Sequence, residues 1–179
     1  MRKLLGLAAA AVFTLGQAVS AQAADVSFSV GQTGDSTMVY RLGLQSNWDA
    51  SWWQTSVGRL TGYWDGAYTY WDGDKTASNH SLSFAPVFVY EFAGDSVKPY
   101  IEAGIGVAAF SSTELESNEL GSAFQFEDRI GFGLRFAGGH EIGVRAIHYS
   151  NAGINQTNDG LRELQPALPH GALSYPAPL

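Results

Sequence analysis

His148-Tyr149-Ser150-Asn151 lies close to the C-terminal end of the chain, where a run of alternating residues stops. Reading back from Ser150, every second position is His148, Ala146, Val144 and Ile142. In an extended strand, residues two apart share a face. An apolar face therefore ends in an imidazole beside a hydroxyl. Serine is a weak nucleophile until a base takes its proton, and this pair is the minimum equipment for acyl transfer. The two Cα atoms of such a pair stand roughly 6.5–7 Å apart, so both side chains must lean together. A third group has to orient the ring, and a donor has to meet the oxyanion. Asn151 is the nearest amide, and Asn158 is a second candidate. The apolar setting points to a lipid substrate. The plainer reading makes His148 and Tyr149 interfacial residues and Ser150 the end of a strand.

The elements that hold this pair alternate almost throughout. Leu60, Gly62, Trp64, Gly66, Tyr68 and Tyr70 form one face, against Arg59, Thr61, Asp65 and Thr69. Phe124, Phe126, Ile130, Phe132, Leu134 and Phe136 form another, interrupted by Asp128, against Gln125, Glu127, Arg129 and Arg135. A soluble sandwich buries its apolar face, whereas a membrane barrel turns it outward around a polar interior. Three features favour the barrel. The segments run about 10–15 residues, beyond the usual 5–6 of globular strands. The polar face carries both charge signs plus glycine. Trp48, Trp52, Trp53 and Trp71 stand at segment ends, as girdle residues do.

Eight segments are expected, at 25–32, 37–48, 57–71, 79–93, 97–111, 122–137, 140–150 and from 161 onward. The fold class is thus all-β, an eight-stranded antiparallel transmembrane barrel. Eight strands give an interior filled by side chains rather than a pore. Short connections at 94–96 and 138–139 read as periplasmic turns; longer ones at 112–121 and 151–160 read as external loops. The connection at 49–56 is long for a turn. This orientation carries His148 and Ser150 to the outer end of the seventh strand, on the lipid side.

Residues 1–23 read as a secretory signal: Arg2 and Lys3, an apolar core from Leu4 to Leu15, and Ala21-Gln22-Ala23 as the cleavage site. The mature domain, 24–179, keeps eight basic residues against 17 acidic ones, a net charge of −9. That excludes a nucleic-acid partner, which needs basic patches. With no cysteine, thiol and disulfide chemistry are excluded as well. No metal site or cofactor is expected; His80, His140 and His170 lack partners at ligand spacing.

The run Arg145-Ala146-Ile147-His148-Tyr149-Ser150-Asn151-Ala152-Gly153-Ile154, followed by Asn158-Asp159-Gly160, resembles the signature of the lipid A 3-O-deacylases, PagL type. The resemblance extends over residues 24–161 and includes Tyr40 to Leu44, Ser51 to Ser56 and Phe84 to Tyr90. It implies an outer-membrane barrel of Gram-negative bacteria that hydrolyses the 3-hydroxyacyl ester at position 3 of lipid A. On that basis His148 is the base, Ser150 the nucleophile, Asn151 the oxyanion residue and Asn158 a supporting loop residue. The implied partners are lipid A in lipopolysaccharide and the outer membrane, with a homodimer left open.

The family's acid stands fourteen residues after the histidine, where this chain has Arg162. A glutamate follows at Glu163, which becomes the candidate acid. A slip of one residue reverses the side-chain face, so Glu163 needs a bulge to reach the imidazole. Beyond it stand Pro166, Pro169, Pro176 and Pro178, which make a doubtful eighth strand, since proline gives no hydrogen bond to a ladder. A one-base frameshift near Leu161 is compatible with both departures. The alternative functions are a non-catalytic small barrel and an inactive enzyme with a replaced C-terminal strand.

Overall fold

Alternation at period two folds here as strands with one apolar and one polar face. The computed structural model describes residues 24–137 and 140–167. Along the chain run β1 (Asp25–Thr33), β2 (Met38–Asn47), β3 (Gly58–Asp72), β4 (Asn79–Phe92) and β5 (Val97–Phe110). Two short strands follow, β6 (Glu114–Leu115) and β7 (Asn118–Glu119), then β8 (Phe124–Phe136), β9 (Glu141–Ser150) and β10 (Leu161–Ala167). The long strands close into an antiparallel barrel in the order β1-β10-β9-β8-β5-β4-β3-β2, while β6 and β7 pair as a separate hairpin.

The apolar face points outward. Phe132 is 64% exposed while Glu127 is fully buried, which decides for the barrel and against a sandwich. Inside, Val39, Trp71, Phe110, Leu115, Leu120 and Tyr149 pack at the end closed by the β6–β7 hairpin. Tyr63, Ala85, Val87, Val89 and Tyr100 pack toward the other end. Between them lies an ionic layer. Asp65 accepts from Arg41 and Arg129, each at 2.8 Å, and Glu127 pairs with both arginines. Arg145 pairs with Glu102. Buried charges of this kind need partners because the interior cannot solvate them.

Trp71 departs from the girdle expected of it. It is fully buried in the lumen, tilted against Phe110 and edge-on to Tyr149, and its Nε1 donates to Ser81 Oγ at 3.1 Å. Its parity is that of Asp65 and Thr69, so the pleat turns it inward. Trp48 instead packs outside against Trp52, Trp64 and Phe88. The long connection at 49–56 folds back on β3, with Trp52 and Leu60 exchanging backbone hydrogen bonds at 2.8 Å.

The eighth barrel strand forms, contrary to the doubt raised by its prolines. β10 pairs with β9 without interruption from Leu161 opposite Tyr149 to Ala167 opposite Gly143. Its pairing with β1 is short, limited to Leu164 with Gln32 and Glu163 with Thr33. Pro166 lies beyond the last β1 pair, so on that side it has no ladder to interrupt. Ser29 Oγ donating to Gln165 Oε1 at 2.7 Å reinforces the seam. The expected signal at 1–23 and the tail from 168 onward lie outside the described residues.

Candidate functional site

β9 runs toward the loop end of the barrel and ends in His148, Tyr149 and Ser150. Ile147 and Tyr149 are buried in the lumen, which leaves His148 and Ser150, both half-buried, on the outer face. The strand register flanks His148 with Asp128 of β8 on one side and Arg162 of β10 on the other. Ser150 stands opposite Phe126. A shallow outer groove of about 260 Å³ runs past Asp128, Ile130, Ala146, His148 and Arg162. Its floor is apolar, and its charges cluster around the imidazole.

The histidine is oriented by backbone. His148 Nδ1 lies 3.0 Å from the Leu161 carbonyl oxygen. A carbonyl oxygen can only accept, so Nδ1 is the donor, and in the neutral ring the lone pair is then on Nε2. That is the tautomer a general base needs. Ser150 shares the face without a hydrogen bond to the ring, a looseness common in sites without substrate.

Glu163 does not serve as the orienting acid. Its side chain is buried in the lumen, where its Oε1 accepts from Gln165 Nε2 at 2.9 Å and lies 3.3 Å from the Tyr149 hydroxyl. The barrel wall separates it from the imidazole. The reason is the unbroken β9–β10 register: without a bulge, one residue of displacement inverts the face. Arg162 takes the outward place beside His148.

Asn151 also departs from its expected role. Its side chain is fully buried, and Nδ2 donates to the carbonyls of Leu120 at 2.9 Å and Thr157 at 2.7 Å. Both amide protons are committed to pinning loops, so neither faces an oxyanion. Asn158 is arranged the other way round. Its Oδ1 accepts from the Asn151 backbone N–H at 3.0 Å, and its Nδ2 has no partner among the described residues. Glu119 holds the adjacent residue: its N–H donates to Asp159 Oδ2 at 2.9 Å, and its carbonyl accepts from the Asp159 N–H at 3.2 Å.

A model of the lipid A 3-O-deacylase (PagL) family matches residues 38–166. The chain belongs to the lipid A 3-O-deacylase family. Among PagL relatives, the lipid A deacylase PagL of Pseudomonas aeruginosa is 67% identical over 162 residues, covering 90% of this chain and 94% of the relative. The lipid A deacylase PagL of Bordetella bronchiseptica is 41% identical over 102 residues, 56% of each chain. A crystal structure of the outer membrane enzyme PagL superposes with a TM-score of 0.76 at 68% identity, covering 79% of this chain and 95% of that one. The barrel is accordingly an outer-membrane barrel of the PagL type.

Two contributors escaped the sequence reading of this PagL-type site. The Leu161 carbonyl belongs to a residue with no chemical signature of its own. Asp128 was visible as a break in an apolar face, but its pairing opposite His148 needs the β8–β9 register. A second cavity, of about 480 Å³, lies among the loops near Asp35, Asp72, Lys75 and Glu116. Its lining includes none of the dyad residues.

Proposed function

We propose that this chain is a serine esterase that removes the ester-linked 3-hydroxyacyl chain from position 3 of lipid A in the outer leaflet. Residues 1–23 act as the export signal. The observation that carries the reading is the outward His148-Ser150 pair with Nδ1–H held by the Leu161 carbonyl. The base is fixed in its working tautomer on the lipid-facing wall, where a membrane-embedded ester presents itself.

In this mechanism Ser150 Oγ attacks the acyl carbonyl carbon while His148 Nε2 takes the hydroxyl proton. Asn158 Nδ2 donates to the oxyanion, and Asn151 holds Asn158 in place through its backbone N–H. Collapse breaks the ester bond, and His148 gives its proton to the departing sugar oxygen, which leaves as a hydroxyl. A water then gives a proton to His148 and attacks the acyl-serine. Collapse breaks the acyl–Oγ bond, His148 passes its proton to Ser150 Oγ, and the 3-hydroxy fatty acid leaves. Closing the barrel wall beside the dyad keeps the acyl chain in contact with Ile130 and Ala146, the apolar floor of the groove.

The test is mass spectrometry of lipid A from cells carrying the gene, its Ser150→Ala and His148→Ala variants, or none. The expected result is loss of one 3-hydroxyacyl chain with the unaltered gene and no loss with either variant. Unchanged lipid A in the presence of a heat-modifiable, folded barrel rejects the esterase and favours the non-catalytic barrel. A second reading, an enzyme disabled by its C-terminal strand, is favoured by Arg162 standing where a carboxylate would help the imidazole. Sequencing the codons around Leu161 checks the frameshift behind it: an intact frame encoding Arg162 in an active protein removes that explanation.

A further inference from the structure

Gly160 is buried and has φ of +69°, a conformation that side chains with a Cβ rarely adopt. A Cβ placed there stands 3.0 Å from His148 Cε1 and 3.1 Å from the Tyr149 carbonyl oxygen. At such distances a neighbour has to give by a few tenths of an ångström. The carbonyl belongs to a strand fixed by its ladder, so the imidazole is the part free to move. Leu161, the next residue, supplies the carbonyl that holds Nδ1 at 3.0 Å. Moving the ring away from position 160 therefore stretches that bond or turns the ring on the face it shares with Ser150. Catalytic geometry tolerates little displacement: about 1 Å can cost 10²-fold in rate.

We propose that Gly160 is a positioning residue for the His148 base, its missing Cβ setting the seat of the imidazole while the Leu161 carbonyl sets its rotation. The proposal rests on His148 being the base in the function proposed above. The same loop contains a matched control. Gly153 has φ of +80°, yet a Cβ there meets nothing within 4 Å. Alanine at either position meets the same left-handed backbone penalty; only at 160 does it meet the ring. Asparagine tolerates that backbone better than alanine, so Gly160→Asn relieves the strain and keeps the contact.

The experiment uses the full mature chain in detergent, with folding read by heat-modifiable mobility. A fluorophosphonate probe reads the rate of Ser150 labelling independently of any lipid, and mass spectrometry reads kcat and KM on lipid A. Gly160→Ala and Gly160→Asn should each lower labelling and kcat at least tenfold with KM within twofold; Gly153→Ala should stay within twofold in both. Wild-type rates in Gly160→Ala overturn the proposal, as does an equal loss in Gly153→Ala. Recovery in Gly160→Asn assigns the loss to backbone strain and overturns it too. If Gly160→Ala does not fold, Gly160→Asn carries the test alone: a tenfold loss supports the proposal and a wild-type rate rejects it. A wild-type chain that labels at Ser150 but leaves lipid A intact rejects the substrate, and the Gly160 comparison is then decided by labelling. Absence of labelling in the wild type rejects both.

Discussion

In the proposed mechanism, Ser150 and His148 depend on the groups that hold them on one face of β9 and not on their spacing alone. The Leu161 carbonyl fixes the ring, and two asparagines divide the loop work between them. Asn158 Nδ2 has no partner among the described residues, while Asn151 spends both amide protons on Leu120 and Thr157. Losing an oxyanion donor typically costs about 10²–10³ in kcat, and Asn158→Ala should lose that much with KM little changed. Asn151→Ala should instead lower the unfolding temperature of the barrel along with activity, because it unpins two backbone carbonyls. Steady-state kinetics beside thermal gel shifts separates the two. Arg162 is the residue at odds with the site. In the proposed mechanism the ring beside it becomes cationic as it takes the serine proton, and a fixed guanidinium opposes that charge. Arg162→Glu reverses the sign of the interaction. It should raise kcat by about tenfold or more, a barrier change of about 1.4 kcal/mol, in the same lipid A assay. An unchanged or lower rate counts against Arg162 as a brake.

At the scale of elements, β10 matters most, because it carries Arg162 outward, Glu163 inward and the carbonyl that orients His148. It achieves this in seven residues, Leu161–Ala167, of which Pro166 is tolerated beyond the last β1 pair. The loops above the barrel are joined by a separate device. Glu116 of the β6–β7 turn accepts from the backbone N–H of Asp74 at 2.6 Å and from that of Lys75. These amides, Asp74 first, hold the Glu116 carboxyl below its ordinary range. A lowered folded-state value means that the latch is fully present above the unfolded glutamate range, about 4.3, and is lost as pH falls through the lower folded value. Protection from hydrogen exchange at Asp74 and Lys75, corrected for the intrinsic rate at each pH, should therefore persist at pH 6 and be lost only as pH falls below the ordinary glutamate range. Loss of protection that begins near neutrality rejects the latch.

For the whole molecule, the barrel wall separates two jobs. The proposed chemistry is on the outside, and stability is held by the packed interior. Asp65 joins Arg41 and Arg129 in the lumen, both at 2.8 Å. Removing one partner of a buried ion pair typically costs about 3–5 kcal/mol because a charge is left uncompensated. Asp65→Ala should lower stability by about that amount in urea titrations in detergent, while the folded fraction keeps wild-type kcat. A loss of kcat in the folded fraction means that lumen and dyad are coupled through the wall.

The sequence alone determined the architecture and the face on which His148 and Ser150 stand. Period-two alternation with both charge signs on the polar face has one economical solution, a closed barrel with apolar residues outside. The parity of β9 then puts His148 and Ser150 on that outer face. Connection lengths gave an orientation, and the motif around His148 gave the family. Position at a segment end misleads for Trp71: its parity, that of Asp65 and Thr69, turns it into the lumen and away from the girdle. Tertiary structure decided what sits beside the dyad. Cross-strand neighbours such as Asp128 and Arg162 depend on register between strands, which no single strand encodes. The division of labour between Asn151 and Asn158, and the seat that Gly160 and Leu161 make for the imidazole, depend on how loops return to the barrel. Those contacts are made between backbone groups and side chains distant in the chain, and backbone atoms look alike in every residue until folding places them.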